Sequence, residues 1–364
     1  YFSKHPRKKL QKIHLLFSRK WFITIEKVRR FFLIMIQNRE LKQQAEGKLR
    51  SAPQHKKLSL YYAGILCVIS VVFMLADQLI SMVFPESGGL STIGLRSFLS
   101  TLSSILPIVS FILSMCLSFG FLGGMVRVSR GQYTSPNALR TGFERFFPLL
   151  RLTALKALII TGLSVGATYL TSLIYTLSPL SDSLVEALTP ALSGGSLLNE
   201  GTLTLDPATI EAIYAATPAM LAIFLVVMLV FGVPMLYRLR LADYVLYDHP
   251  EAGALYALRQ SRLMMRGNRW AMFQLDLSFW WYFLLAALSA AVNYGGLLLS
   301  LIGVSLPISD NGAAILFFLL STVLDFVVIY RFRSKLEVTY ALVYNSLKPP
   351  ETTGGAVLGN IFQM

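Results

Sequence analysis

Apolar residues in this chain do not alternate with polar ones; they run together. Six runs stand out: Leu58–Phe84, Leu95–Leu122, Phe147–Leu177, Pro218–Tyr237, Trp270–Gly303 and Ala313–Phe332. About 20 apolar residues in a helix cross roughly 30 Å of hydrocarbon, and a helix satisfies every backbone polar group internally. The pattern predicts an all-α, polytopic integral membrane protein with six transmembrane helices.

Outside these runs the pattern is periodic. Leu10, Ile13, Phe17, Trp21, Ile25, Val28, Phe32 and Met35 recur at spacings of three or four among ten Lys and Arg residues. Residues 1–37 therefore read as a basic amphipathic helix, lying either among lipid headgroups or against the protein's own cytoplasmic face. Residues 38–348 form the expected membrane domain and 349–364 a cytoplasmic tail. Asn38–Arg50, rich in helix formers, reads as a second short helix. Ser135 and Pro136 start another, as N-cap and first helical residue. Short basic helices thus precede three spans (Leu41–Leu49, Pro136–Phe143 and Pro250–Met265), which fits a threefold hairpin repeat. The outer loop 178–217 lacks Lys and Arg; Ser181–Leu192 and Pro207–Ala216 read as short helices, the latter capped by Asp206. Gly162-x-x-x-Gly166 has the spacing that lets membrane helices approach closely.

Charge adds orientation. Only 14% of residues are charged, yet the net charge is +14, against roughly a quarter charged in soluble domains. If the six spans alternate, all but one of the 33 Lys and Arg residues fall on one side, leaving Arg96 on the other with seven Asp and Glu. The positive-inside rule then places both termini in the cytoplasm. A basic inner surface implies anionic lipid headgroups as partners rather than nucleic acid. Residues 1–50 and the outer loop are candidate docking surfaces for a membrane protein partner. The sequence opens on Tyr1 rather than Met, which points to residues upstream, and no cleavable signal is expected, since the first apolar run, Phe31–Ile36, is short and followed by charges. Cys67 and Cys116 both lie inside spans, and His5, His14, His55 and His249 are scattered, so neither disulfide, metal nor other cofactor is expected. The motifs of nucleotide, metal or nucleophile chemistry are missing, and no catalytic residue is expected.

Ionisable residues inside spans carry the sharpest chemistry, because charge in hydrocarbon is costly and faces a cavity or a partner. Lys156, Asp276 and Asp325 lie about two turns in from the cytoplasmic side, with Arg151 shallower. A Lys156–Asp276 or Lys156–Asp325 pair is expected. It is either a buried ion pair holding helices in register or part of a polar cavity for an anion or a proton. Arg259, Arg262, Arg266 and Arg269 form a stripe at spacings of three or four. They are headgroup-binding candidates, since guanidinium forks suit phosphate. The alternative is ordinary inner-surface charge, solvated or paired with Glu144, Asp243 and Glu251.

The stretch Tyr237–Trp281 is the most distinctive. At Arg266-Gly267-Asn268, Gly would end one helix in the left-handed conformation and Asn would N-cap the next; His249 or Asp248 with Pro250 would start the helix before it. Ser261, Met265, Gly267 and Asn268 form a Ser-x-x-x-Met-x-Gly-Asn turn, followed by Phe273, Leu275, Leu277, Ser278 and Phe279. With NRELKQQAEGKL, Gly232-x-Pro234, Tyr340 and Tyr344, this stretch resembles a bacterial family of integral membrane proteins defined only as a domain of unknown function, number 975. The likeness covers about 38–348. It implies six membrane helices and a bacterial plasma membrane, and no activity. A transport-like or lipid-handling role fits the ionisable cluster; an accessory or assembly subunit and a headgroup-directed enzyme are the alternatives.

Overall fold

In a computed structural model of the chain, residues 38–83, 93–178, 182, 207–301 and 310–348 are described. The amphipathic stretch 1–37, the outer-loop helix Ser181–Leu192, Asp206 and the tail 349–364 lie outside the described residues. What is described is helical, with no strand among the described residues. The helices are α1 (38–51), α2 (His55–Val83), α3 (Ile93–Ser129), α4 (Thr141–Glu144), α5 (Phe146–Thr176), α6 (Pro207–Val227), α7 (Val233–Leu239), α8 (Ala242–Asp248), α9 (Gly253–Met264), α10 (Arg269–Leu277), α11 (Trp280–Asn293), α12 (Gly295–Leu301), α13 (Asp310–Val328) and α14 (Ser334–Leu347).

Five helical stretches are long and apolar enough to cross a membrane: His55–Ala76, Ser104–Ser129, Phe146–Thr176, Tyr214–Asp248 and Gly312–Leu347. The expected fifth span is not one straight helix. Most of it is the pair α10 and α11, which meet at 66°, so the count is six only if this pair is one broken span. Backbone groups at 277–279 are bonded through the corner: Ser278 N–H donates to the Gln274 and Leu275 carbonyls, and Phe279 N–H to Asp276. Large apolar side chains such as Leu158, Tyr169, Leu225 and Phe231 stand exposed along the spans. In water such surface would drive association; hydrocarbon solvates it.

The described residues up to Phe146 and from Trp270 onward form one compact unit. Its core joins α1, α2, α3 and α14 through Ala45, Leu58, Tyr62, Leu117, Phe121, Met125, Leu139 and Val338. Tyr62 stacks on Phe121 with centroids 4.3 Å apart. Close approach in this unit is made by Gly120 and Gly142. A Cβ on Gly142 would lie 1.9 Å from the Cys116 carbonyl oxygen, and one on Gly120 2.4 Å from that of Leu139. The 3₁₀ turn Pro136–Arg140 and α4 therefore press backbone to backbone on α3. Ser135 flanks this turn in extended conformation without a side-chain cap bond, so Pro136 opens a 3₁₀ turn where an α-helix was expected.

Helix α14 fastens the same unit at its polar end. Ser334 Oγ is 2.6 Å from Ser59 Oγ, Lys335 pairs with Glu46 of α1, and Tyr340 donates to Asp276 of α10. Asn345 Nδ2 donates to Ser129 Oγ at 3.0 Å, and Asn345 Oδ1 accepts from Arg130. Along its length α14 is thus tied to α1, α2, α3 and α10.

The described residues from Phe147 to Arg269 form the second unit. The outer short helix expected at Pro207–Ala216 and the span expected from Pro218 are one continuous helix, α6, with Pro218 inside it. Membrane helices tolerate such prolines where the freed carbonyl is re-satisfied locally. A π turn, Met228–Gly232, then carries the chain into α7, where Pro234 has no N–H to give the preceding turn. Gly162 and Gly166 would each accept a Cβ with nothing within 4 Å, so their expected close approach is not made among the described residues.

Candidate functional site

The ionisable residues expected to share one cluster are divided among three settings. Lys156 of α5 donates to both oxygens of Asp243, at 2.7 Å each. The expected partners, Asp276 and Asp325, do not hold it. Asp243, read from sequence as an arginine partner, is its counter-ion because α8 begins one turn after the chain leaves α7. Asp276 accepts from Tyr340 and serves to hold α10 to α14. Arg151 is exposed.

Asp325 has different surroundings. It lines a cavity of about 240 Å³ between α2, α3 and α13, with Cys67 and Ser70 on α2, Ser114 and Ser118 on α3 and Thr322 on α13. Phe326 and Ile329 complete the wall on the α13 side. Two of these four hydroxyls are bonded elsewhere. Thr322 Oγ1 donates to the Phe318 carbonyl at 2.8 Å, and Ser118 Oγ bonds Tyr62 Oη at 2.9 Å. Their lone pairs, with the carboxylate, make the cavity rich in acceptor oxygen. Among the described residues Asp325 has no ion-pair or hydrogen-bond partner, whereas Arg333, further along the same helix path, is bonded to Glu337 and Tyr282. The π turn Ile329–Arg333 starts at the cavity wall; such turns are frequent at functional sites. A second cavity of about 570 Å³ shares Ser70 and adds Ser110, Pro107 and Phe318. Ser110, Ser114 and Ser118 sit four residues apart, on one face of α3. That spacing was the legible signal for the cavity, and sequence reading passed over it.

The distinctive turn is resolved residue by residue. Gly267 adopts φ +88°, the left-handed conformation expected. Asn268 does not N-cap the next helix. Its Nδ2 donates to the Met264 carbonyl at 2.9 Å and closes the end of α9 instead. Likewise α9 starts at Gly253, φ +80°, after a 3₁₀ turn Pro250–Ala252, and neither His249 nor Asp248 caps it. Met265 is fully buried. Ser261 is fully buried too, and its Oγ donates to the Arg238 carbonyl at 2.8 Å and accepts from Leu241 N–H at 3.2 Å. These motif residues build architecture.

That motif matches beyond its own stretch: the family model described as a protein of unknown function (DUF975) covers residues 35–349. The chain belongs to this family. No curated protein and no solved structure matches it. DUF975 membership thus fixes kinship and leaves activity to be argued from the site.

Of the arginine stripe, Arg259, Arg262 and Arg266 are exposed and Arg269 is half-buried. Arg238, outside the stripe in sequence, is brought to it by Ser261. Metal binding has no candidate group of three ligands among the described residues.

Proposed function

We propose that this DUF975 protein is a transport-like or lipid-handling membrane protein whose site is the Asp325 cavity. The carrying observation is a carboxylate inside a span that faces acceptor oxygens and has no basic partner among the described residues. An ionised carboxylate in such a setting needs a positive group or a proton. The occupant is therefore a proton, a small cation or the ammonium of a lipid or solute. This replaces the anionic occupant that Lys156 would have favoured. Binding rather than catalysis fits a site of one carboxylate among hydroxyls. The segregation of Lys and Arg supports six spans with both termini cytoplasmic, and the family likeness supports a bacterial plasma membrane, with anionic headgroups against the basic side.

Cys67 supplies the test, since it lines the cavity while Cys116 is fully buried. The full chain in maltoside detergent is alkylated with N-ethylmaleimide, with sodium, ethanolamine or choline present, and Cys67 modification is followed by mass spectrometry. Protection by one of these that disappears in Asp325→Asn is expected. Equal alkylation under every condition, in wild type and variant alike, would remove the cavity as a cation site.

A further inference from the structure

The second unit contains a cluster that the cavity reading does not use. Ser261 fixes the Arg238 carbonyl to α9 at 2.8 Å, one residue before Arg262. Asn268 closes the following turn on Met264, one residue before Arg269. Two side chain–backbone bonds thus fold three arginines from separate helices into one neighbourhood, where Arg238 and Arg262 stand close enough to repel the charge of Arg269. The Nε atoms of Arg238 and Arg269 are shut away from solvent with no hydrogen-bond partner among the described residues. Arg238 otherwise reaches only the Met235 sulfur, at 3.7 Å. Among the described residues none of these three arginines is ion-paired; Asp243 holds Lys156 instead, and Asp248 is also bonded.

Three like charges gathered without an acid are unfavourable unless something negative joins them. Guanidinium groups are planar forks of donors that match tetrahedral oxyanions. Arg238 directly follows the apolar run Pro218–Tyr237 and Arg269 begins the bent pair, so both stand at the polar end of an apolar stretch, where lipid phosphates lie. We infer that Arg238, Arg262 and Arg269 form a discrete phosphate-binding site, whose ligand is a lipid phosphate or a soluble phosphate. Arg259 and Arg266, although on the same sequence stripe, lie outside it.

The site does not depend on Asp325, and its test is separate. Full-length protein in maltoside is titrated with phosphatidylglycerol and, in a second arm, with inorganic phosphate, and binding is read by native mass spectrometry and calorimetry. Two double variants carry equal charge loss: Arg238→Gln/Arg262→Gln and Arg259→Gln/Arg266→Gln. The first should weaken binding about tenfold or more, as loss of charge-assisted forks does, and the second less than about twofold. Arg262→Lys, which keeps charge and loses the fork, should weaken it to an intermediate degree and guards against a folding defect in the double variant. Phosphatidylglycerol binding alone names a lipid site; inorganic phosphate binding as well names a soluble phosphate. Binding of neither, or equal loss in both double variants, overturns the site in favour of a diffuse basic surface.

Discussion

Ser261 Oγ and the Arg238 carbonyl are 2.8 Å apart, and the same hydroxyl takes the Leu241 N–H at 3.2 Å. One side chain therefore occupies both backbone groups released where α7 gives way to α8. Because Ser261 is fully buried, water cannot replace it. Ser261→Ala should destabilise the protein by about 1–3 kcal/mol, the cost of leaving two buried backbone groups unpaired. Thermal melting in detergent is the measurement; a melting temperature equal to wild type would remove the hydroxyl's structural role.

Lys156 and Asp243 should behave as a coupled pair. Their side chains are 19% and 33% exposed, so solvent screening keeps the coupling to about 1 kcal/mol. In a double-mutant cycle, Lys156→Gln and Asp243→Asn should be less than additive, while Lys156→Gln with Asp276→Asn should add. Coupling to Asp276 instead would restore the pairing expected from sequence.

Gly142 and Gly162 should separate sharply. A Cβ at Gly142 meets backbone of Cys116 that cannot swing aside, so Gly142→Ala should cost about 3 kcal/mol or prevent accumulation. Gly162 lies in α5 with open space around it, and Gly162→Ala should be neutral or stabilise by up to about 1 kcal/mol. Expression level and melting temperature report both; equal tolerance would contradict the α3–α4 packing.

Glu46 should confer acid sensitivity on the attachment of α1. Its hydrogen bond to Lys335, and then the charge of Lys335, lower its pKa from 4.5. A carboxyl depressed on folding contributes stability above its ordinary value, and that contribution is lost as pH falls through the lower folded value. Melting temperature should therefore drop below about pH 4.5 more steeply in wild type than in Glu46→Gln. Glu46 is 45% exposed on its side chain, so the difference is small. Parallel pH profiles would show the pair to be inert. Lys42, lowered chiefly by burial and next by Lys335, bears on alkaline pH and leaves this window clear.

Much of the fold was legible without coordinates. Long apolar runs specify spanning helices because the bilayer leaves no alternative for backbone polar groups, and Gly267 was readable because a left-handed helix end strongly favours glycine. The helix over Asn38–Arg50 followed from propensity. What the sequence did not disclose depends on which helix lies beside which. A 66° bend leaves no mark in hydropathy, because both arms are apolar.

The same holds for the site. Spacing along a helix gives depth, and depth placed Lys156, Asp276 and Asp325 in one layer. Depth does not say which faces meet. Tertiary packing sent Lys156 to Asp243 and Asp276 to Tyr340, and left Asp325 among hydroxyls. Ion pairs form by side-chain reach, over a few ångströms across helices distant in sequence, and no period within one helix encodes that. The sequence alone determined the solvent, the helices and their ionisable content; three-dimensional packing decided which of the charges were paired and which lines a cavity without a partner among the described residues.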